Sequence, residues 1–125
     1  MRSPSAMPPS FAATNRHRKC DDVKYFLIKY TFSQGSPEEW HREIARFIAA
    51  LDGDPALSGK ISYRCLKHKQ GSDYYHLAAA ADEQTVATLG QRDFFTHYTE
   101  RSDFVSGGTV EVLPLELIAE TAFRA

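Results

Sequence analysis

An α+β domain, with one antiparallel sheet carrying helices on a single face, is what this sequence predicts, and three observations predict it. An aromatic and β-branched run, Tyr25 to Phe32, is followed at once by an amphipathic helical stretch with a strong start signal. Two further strand-like segments are then joined by a connection of hairpin length. A second helical region leads finally into an alternating strand that ends at Pro114.

Each element can be justified in order. Residues 1–22 contain Pro4, Pro8 and Pro9 and no periodic apolar pattern, so a flexible N-terminal extension is expected there and a folded domain over residues 23–125. In the first strand Phe26, Ile28, Tyr30 and Phe32 share one face, and Leu27, Lys29 and Thr31 the other. Ser36-Pro37-Glu38-Glu39 then starts a helix: Ser36 caps, Pro37 suits the first turn, and Glu39 is placed to close a capping box. Trp40, Ile44, Phe47, Ile48 and Leu51 form its buried stripe, and Asp52-Gly53-Asp54-Pro55 ends it. Residues 60–68 and 74–81 read as antiparallel neighbours joined through Lys69-Gln70-Gly71-Ser72-Asp73. Asp82 caps a second helix with Val86 and Leu89 inward, Gly90 weakens it, and a further helical stretch carries Phe94, Phe95, Tyr98 and Phe104. Val110 and Val112 alternate with Glu111 and Leu113 in the last strand, which Pro114 marks as an edge or a bulge, and Leu115 to Thr121 is expected to run on as an extended arm.

The order β-α-β-β-α-β is the ferredoxin-like, split βαβ arrangement. Its second sheet face would carry Leu27, Leu66 and the Leu-rich ending with no element left to cover them. A homodimer closed face to face into an α+β barrel is therefore the expected assembly.

Composition narrows the function classes. Hydrophobic residues make up 42% and charged residues 25%, a globular balance that excludes disorder of the whole chain. The formal charge of −1 offers no basic field for a polyanion, so nucleic acid is not an expected partner, and Arg16-His17-Arg18-Lys19 reads as a solvated tail. With two cysteines, no Cys-x-x-Cys pair and no long apolar run, no metal site and no membrane partner are expected, and the reading is a soluble, cytoplasmic protein. His41 and His97 lack a second ligand at helical spacing, and Cys65 reads as a small core residue.

Over residues 23–113 the layout resembles the antibiotic biosynthesis monooxygenase-like family of dimeric α+β barrels. Gly59-x-x-x-Tyr63 resembles that family's Gly at the start of the second strand with a Tyr four residues on, and Asp82, Glu83, Phe95 and Tyr98 resemble its second-helix region. Ala78 to Ala81 stand where members often carry an acid and a tryptophan, and Leu89 and Phe94 stand where they often carry histidines. The Asn, Trp and heme-ligating His of the heme-degrading branch have no counterparts. The resemblance implies oxidation, without any cofactor, of a small quinol- or polyketide-like aromatic.

Alternation suggests where such a substrate would sit. If Phe26/Ile28/Tyr30, Ile61/Tyr63/Cys65, Tyr75/Leu77/Ala79 and Val110/Val112 lie under the helices, the opposite face gathers Lys29, Ser62, Arg64, Tyr74, His76 and Glu111 around a sheet-side cavity. There His76 is the expected general base and Arg64 the oxyanion partner, with Lys29, Ser62, Tyr74 and Glu111 binding substrate. The same residues could instead form ion pairs across a dimer interface, Glu111 with Arg64 or Lys29. A binding barrel without chemistry, or an isomerase or cyclase using the same groups, are the alternative functions.

Overall fold

The computed structural model describes residues 22–122. The extension expected over residues 1–22 therefore lies, Asp22 apart, outside the described residues.

Strand β1 (Lys24–Thr31) is followed by helix α1 (Pro37–Gly53), strands β2 (Ile61–Lys67) and β3 (Asp73–Ala80), helices α2 (Glu83–Gly90) and α3 (Asp93–Ser106), and strand β4 (Glu111–Leu115). All pairings are antiparallel and the sheet order is β2-β3-β1-β4. This is the ferredoxin-like α+β fold, with β1 and β3 central. Pro114 sits on the edge strand β4 opposite Phe26, where a missing backbone donor is tolerated.

Local chemistry explains the helix ends. Ser36 Oγ accepts the Glu39 amide at 3.3 Å and donates to Glu38 Oε1 at 3.1 Å, so the cap forms with Glu38 rather than with the reciprocal Glu39 bond of a capping box. Asp82 caps α2 by accepting from both the amide and the hydroxyl of Thr85. Arg92 grips Asp54 through Nε at 2.7 Å and the second guanidinium nitrogen at 3.4 Å, which pins the α2–α3 junction to the end of α1. At the other end of α3 the Val105 carbonyl accepts from the Ser33 and Gln34 amides, tying that helix to the exit of β1.

Trp40, Ile44, Phe47 and Leu51 of α1 pack with Tyr30, Leu57, Tyr74, Tyr98 and Val105 into one core on the helix side of the sheet. Aromatic contacts dominate it: Phe47 stacks on Tyr98 at 3.9 Å between centroids, and Trp40 stacks on the same ring at 5.6 Å. Phe104, also on α3, is 46% exposed. Beyond Leu115 the chain carries no regular secondary structure through residue 122.

Strand β3 corrects the expected facing. Tyr74, His76 and Ala80 are buried under the helices, whereas Tyr75 and Leu77 lie on the open face. Directly opposed residues share a face, so His76 aligns with Ile28 and Cys65, and Arg64 aligns with Leu77. A one-residue change of phase turns every side chain of a strand over.

Gly107 ends α3 at φ +65°, and a Cβ there would meet Ser33 Oγ at 3.0 Å. Gly107→Ala is expected to cost about 1–2 kcal/mol in urea unfolding, with the strain of a left-handed backbone setting the sign.

Candidate active site

A cavity of about 500 Å³ lies between the sheet and the three helices. Phe26, Ile28, Ile61 and Ala78 line it from the strands, Phe47 and Leu51 from α1, and Val86, Leu89 and Phe95 from α2 and α3. Its size and apolar walls suit a small, largely uncharged molecule. Ala78 and Ala80 leave the floor open where larger residues would fill it.

Thr99, Glu100, Ser102 and Asp103 of α3 also line the cavity, and the remaining polar side chains of its wall form one connected cluster. His76, 1% exposed, has both ring nitrogens engaged: Nε2 with Tyr30 Oη at 2.9 Å and Nδ1 with Tyr63 Oη at 2.6 Å. Tyr63 and Tyr98 hydroxyls are 3.0 Å apart, and Tyr98 Oη lies 3.4 Å from Nδ1. Behind this group the Trp40 indole N–H donates to Tyr30 Oη at 2.8 Å. Tyr63, His76 and Tyr98 line the cavity, whereas Tyr30 and Trp40 stand outside it.

Burial sets the protonation states. It pushes His76 down to about 4, so the ring is neutral at pH 7. Burial also raises the Tyr30, Tyr63 and Tyr98 phenols above the ordinary range, and it pushes the Cys65 thiol up to about 12. The cluster is thus uncharged, a wall of hydroxyls and one imidazole in an aromatic box. Among the described residues no group of three or more His, Cys, Asp or Glu side chains is arranged to hold a metal ion.

Of the six residues expected to act on or bind a substrate, His76 alone reaches this cavity, and it does so from the helix side. Tyr74 is on the same side of the sheet but hydrogen-bonds His41 Nε2 at 2.7 Å, beside a smaller surface pocket. Arg64, Lys29, Ser62 and Glu111 are on the open face, separated from His76 by the sheet. The expected His76–Arg64 pairing and the sheet-side cavity are both corrected by the phase of β3. Lys29 and Glu111 make a 3.5 Å ion pair with side chains 44% and 61% exposed, which screening by water renders weak. Tyr63 and Tyr98 were visible as points of family resemblance, but their role beside a histidine was not. Tyr30 and Trp40 carried no functional signal, because their spacing is also that of plain core.

The fold and cavity together define a ferredoxin-like α+β domain with a ligand-sized chamber beneath its helices. Solved structures share that fold. SnoaB, a cofactor-independent oxygenase from Streptomyces nogalater, superposes with a TM-score of 0.65 at 19% identity over 79% of this chain and 96% of its own. A Caulobacter crescentus protein provisionally assigned as an antibiotic biosynthesis monooxygenase gives 0.66 at 12% identity, over 78% of this chain and 92% of its own. A dimeric ferredoxin-like protein of unknown function from Jannaschia gives 0.57 at 16% identity, over 76% and 99%. These likenesses put the chain on the fold of the antibiotic biosynthesis monooxygenase-like proteins, the group its sequence layout resembles. No family model matches the chain, and no curated protein matches it significantly.

The depressed His76 value has a measurable consequence. In the unfolded chain the ring takes its proton near the ordinary 6.5, and in the fold only near 4, so the unfolded state binds the extra proton first as pH falls. Stability is fully present above pH 6.5 and is lost on going down through this window, by ~2 kcal/mol between pH 6.5 and 5. Asp54 and Asp82, held low by their hydrogen bonds, contribute only at more acid pH. Urea titrations at pH 6.5 and 5 should show this loss, and His76→Gln should flatten it.

Proposed function

We propose that this chain is a monooxygenase needing no resident cofactor, acting on a small aromatic substrate of the quinol or polyketide type inside the cavity between sheet and helices. The observation that carries this reading is the hydrogen-bonded cluster of Tyr63, His76 and Tyr98 set into the wall of a mainly aromatic and aliphatic chamber, which Thr99, Glu100, Ser102 and Asp103 of α3 also line. The fold shared with a cofactor-independent oxygenase supports it by analogy.

In this reading the substrate's own anion supplies the electrons to dioxygen, one oxygen atom staying on the ring carbon as a new carbonyl and the other leaving as water, while the protein binds, excludes bulk water and steadies charge. Phenol hydroxyls of Tyr63 and Tyr98 are suited to donate to an oxygen that gains charge, where the low polarity of the chamber strengthens each bond. His76, hydrogen-bonded to Tyr63, is placed to return a proton to the product through that hydroxyl. Arg64, Lys29 and Glu111 are assigned instead to the open sheet face, on which Leu66, Tyr75, Leu77, Leu113 and Leu115 are also exposed. A second copy packing on that face completes the barrel in this proposal.

The low basicity of His76 favours a second reading, a binding module that holds a neutral aromatic without transforming it. Oxygen uptake separates the two, and a product of unchanged mass would instead mark an isomerase or cyclase.

Quinols and anthrone-like phenols offered to purified, colourless protein should drive oxygen consumption in an electrode. Tyr63→Phe and Tyr98→Phe should each lower the rate by about 10²–10³, the usual loss for an oxyanion donor, whereas Arg64→Ala should keep it. Unchanged rates in both tyrosine variants, with circular dichroism preserved, would remove these hydroxyls from the reaction. Absence of uptake across the panel, with ligand still bound, would favour the binding module.

Light scattering should report twice the 14.1 kDa chain mass, and Leu77→Asp on the open face should reduce it to that of one chain. A persistent monomer in the unmodified protein would sink the barrel.

A further inference from the structure

We propose that Trp40 and Tyr30, which do not line the cavity, are positioning residues that hold His76 as its Nδ1–H tautomer. The Tyr63–Tyr98 pair thereby faces the cavity with a spare hydrogen-bond donor, and the ligand it accepts presents an acceptor oxygen, the carbonyl of a ring ketone. The inference deepens the proposed function by naming a substrate class, and rests on it only in taking this cavity as the ligand site.

The argument is a count of protons. A neutral imidazole has one N–H and one bare nitrogen, and His76 meets a hydroxyl at each. Suppose the proton is on Nε2. Tyr30 Oη then accepts from both His76 and Trp40, and its own proton has no acceptor among the described residues, although Tyr30 is 4% exposed. A buried donor left unmet is the costly outcome. In the other arrangement Trp40 donates to Tyr30, Tyr30 donates to Nε2, and Nδ1–H donates to Tyr63. Every donor behind the cavity is then satisfied, and all bonds run in one direction, toward the chamber.

What arrives at the chamber follows from the same count. With Nδ1–H donating to Tyr63, the two phenols share a single bond of 3.0 Å between them and hold two protons. One proton is left over. The nearby Cys65 sulfur is a weak acceptor for it, so an oxygen in the cavity is the better partner. With the opposite tautomer Tyr63 would donate to Nδ1 and Tyr98 to Tyr63, leaving no donor for a ligand. The tautomer of a ring touching the cavity wall thus decides whether ketones or alcohols are welcome there.

The full chain, labelled with nitrogen-15, tests this by long-range proton–nitrogen correlation at pH 7. His76 should show a pyrrole-type Nδ1 and a pyridine-type Nε2. Tyr30→Phe should erase that preference. In titrations, 1-tetralone should bind roughly fivefold more weakly to Tyr63→Phe, Tyr98→Phe and Tyr30→Phe than to the unmodified chain, the scale of one neutral hydrogen bond, while tetralin affinity should not change. A structural role alone for Tyr30 would lower stability and leave the tautomer where it was. An Nε2–H pattern in the unmodified protein overturns the proposal, as does an unaltered tautomer in Tyr30→Phe or tetralone binding indifferent to the hydroxyls. The unmodified spectrum decides the tautomer even if a variant fails to fold. Failure of oxygen uptake alone would remove the monooxygenase and leave both the tautomer and the ketone preference standing.

Discussion

A neutral histidine sealed beneath helices needs one donor and one acceptor within reach, and the rest of this fold is arranged around meeting that need. An unmet ring nitrogen there would cost roughly 1–3 kcal/mol, a large share of a small domain's stability. The partners of His76 come from separate elements: Tyr30 from β1, Tyr63 from β2 and Tyr98 from α3, with Trp40 of α1 behind them. One imidazole on β3 therefore ties two other strands and two helices to a common point. The aromatic stack of Trp40 and Phe47 on Tyr98 holds the same point from the apolar side. Binding and folding share these groups, so the cavity wall is as rigid as the core of which it is part.

Much of this was legible in the sequence, and the exceptions have physical causes. Helix starts at Ser36 and Asp82 could be read because capping is local chemistry, settled within four residues. Pro114 marked an edge because a missing donor has few places to go. The phase of β3 was not legible. In Tyr74-Tyr75-His76-Leu77 both alternations offer an aromatic, and counting hydrophobicity favours turning Tyr75 and Leu77 inward. The true phase puts a histidine in the core, which is stable only through hydroxyls 46, 13 and 22 residues away along the chain. No local window contains that information. From this single slip follow the misplaced cavity and the separation of Arg64 from His76.

The two sheet faces thus have different occupations. The helix side carries the chamber with its uncharged His76 cluster, and the open side carries Lys29, Arg64 and Glu111 interspersed with exposed leucines. If that face is the interface proposed above, ions on it are better at choosing register and partner than at adding affinity.

The edge strand gives this division a further meaning. β4 is five residues long and one of them is proline, so its outer rim offers few backbone groups to an incoming strand. A chain with a leucine-rich sheet face and an inviting rim could grow laterally without limit, each copy extending the last. With the β4 rim blunted, such growth is hindered at that edge, whereas a face-to-face contact of the kind proposed above would be used up once two copies had met. A single proline near the end of the fold thereby works against an open-ended ribbon at the β4 edge.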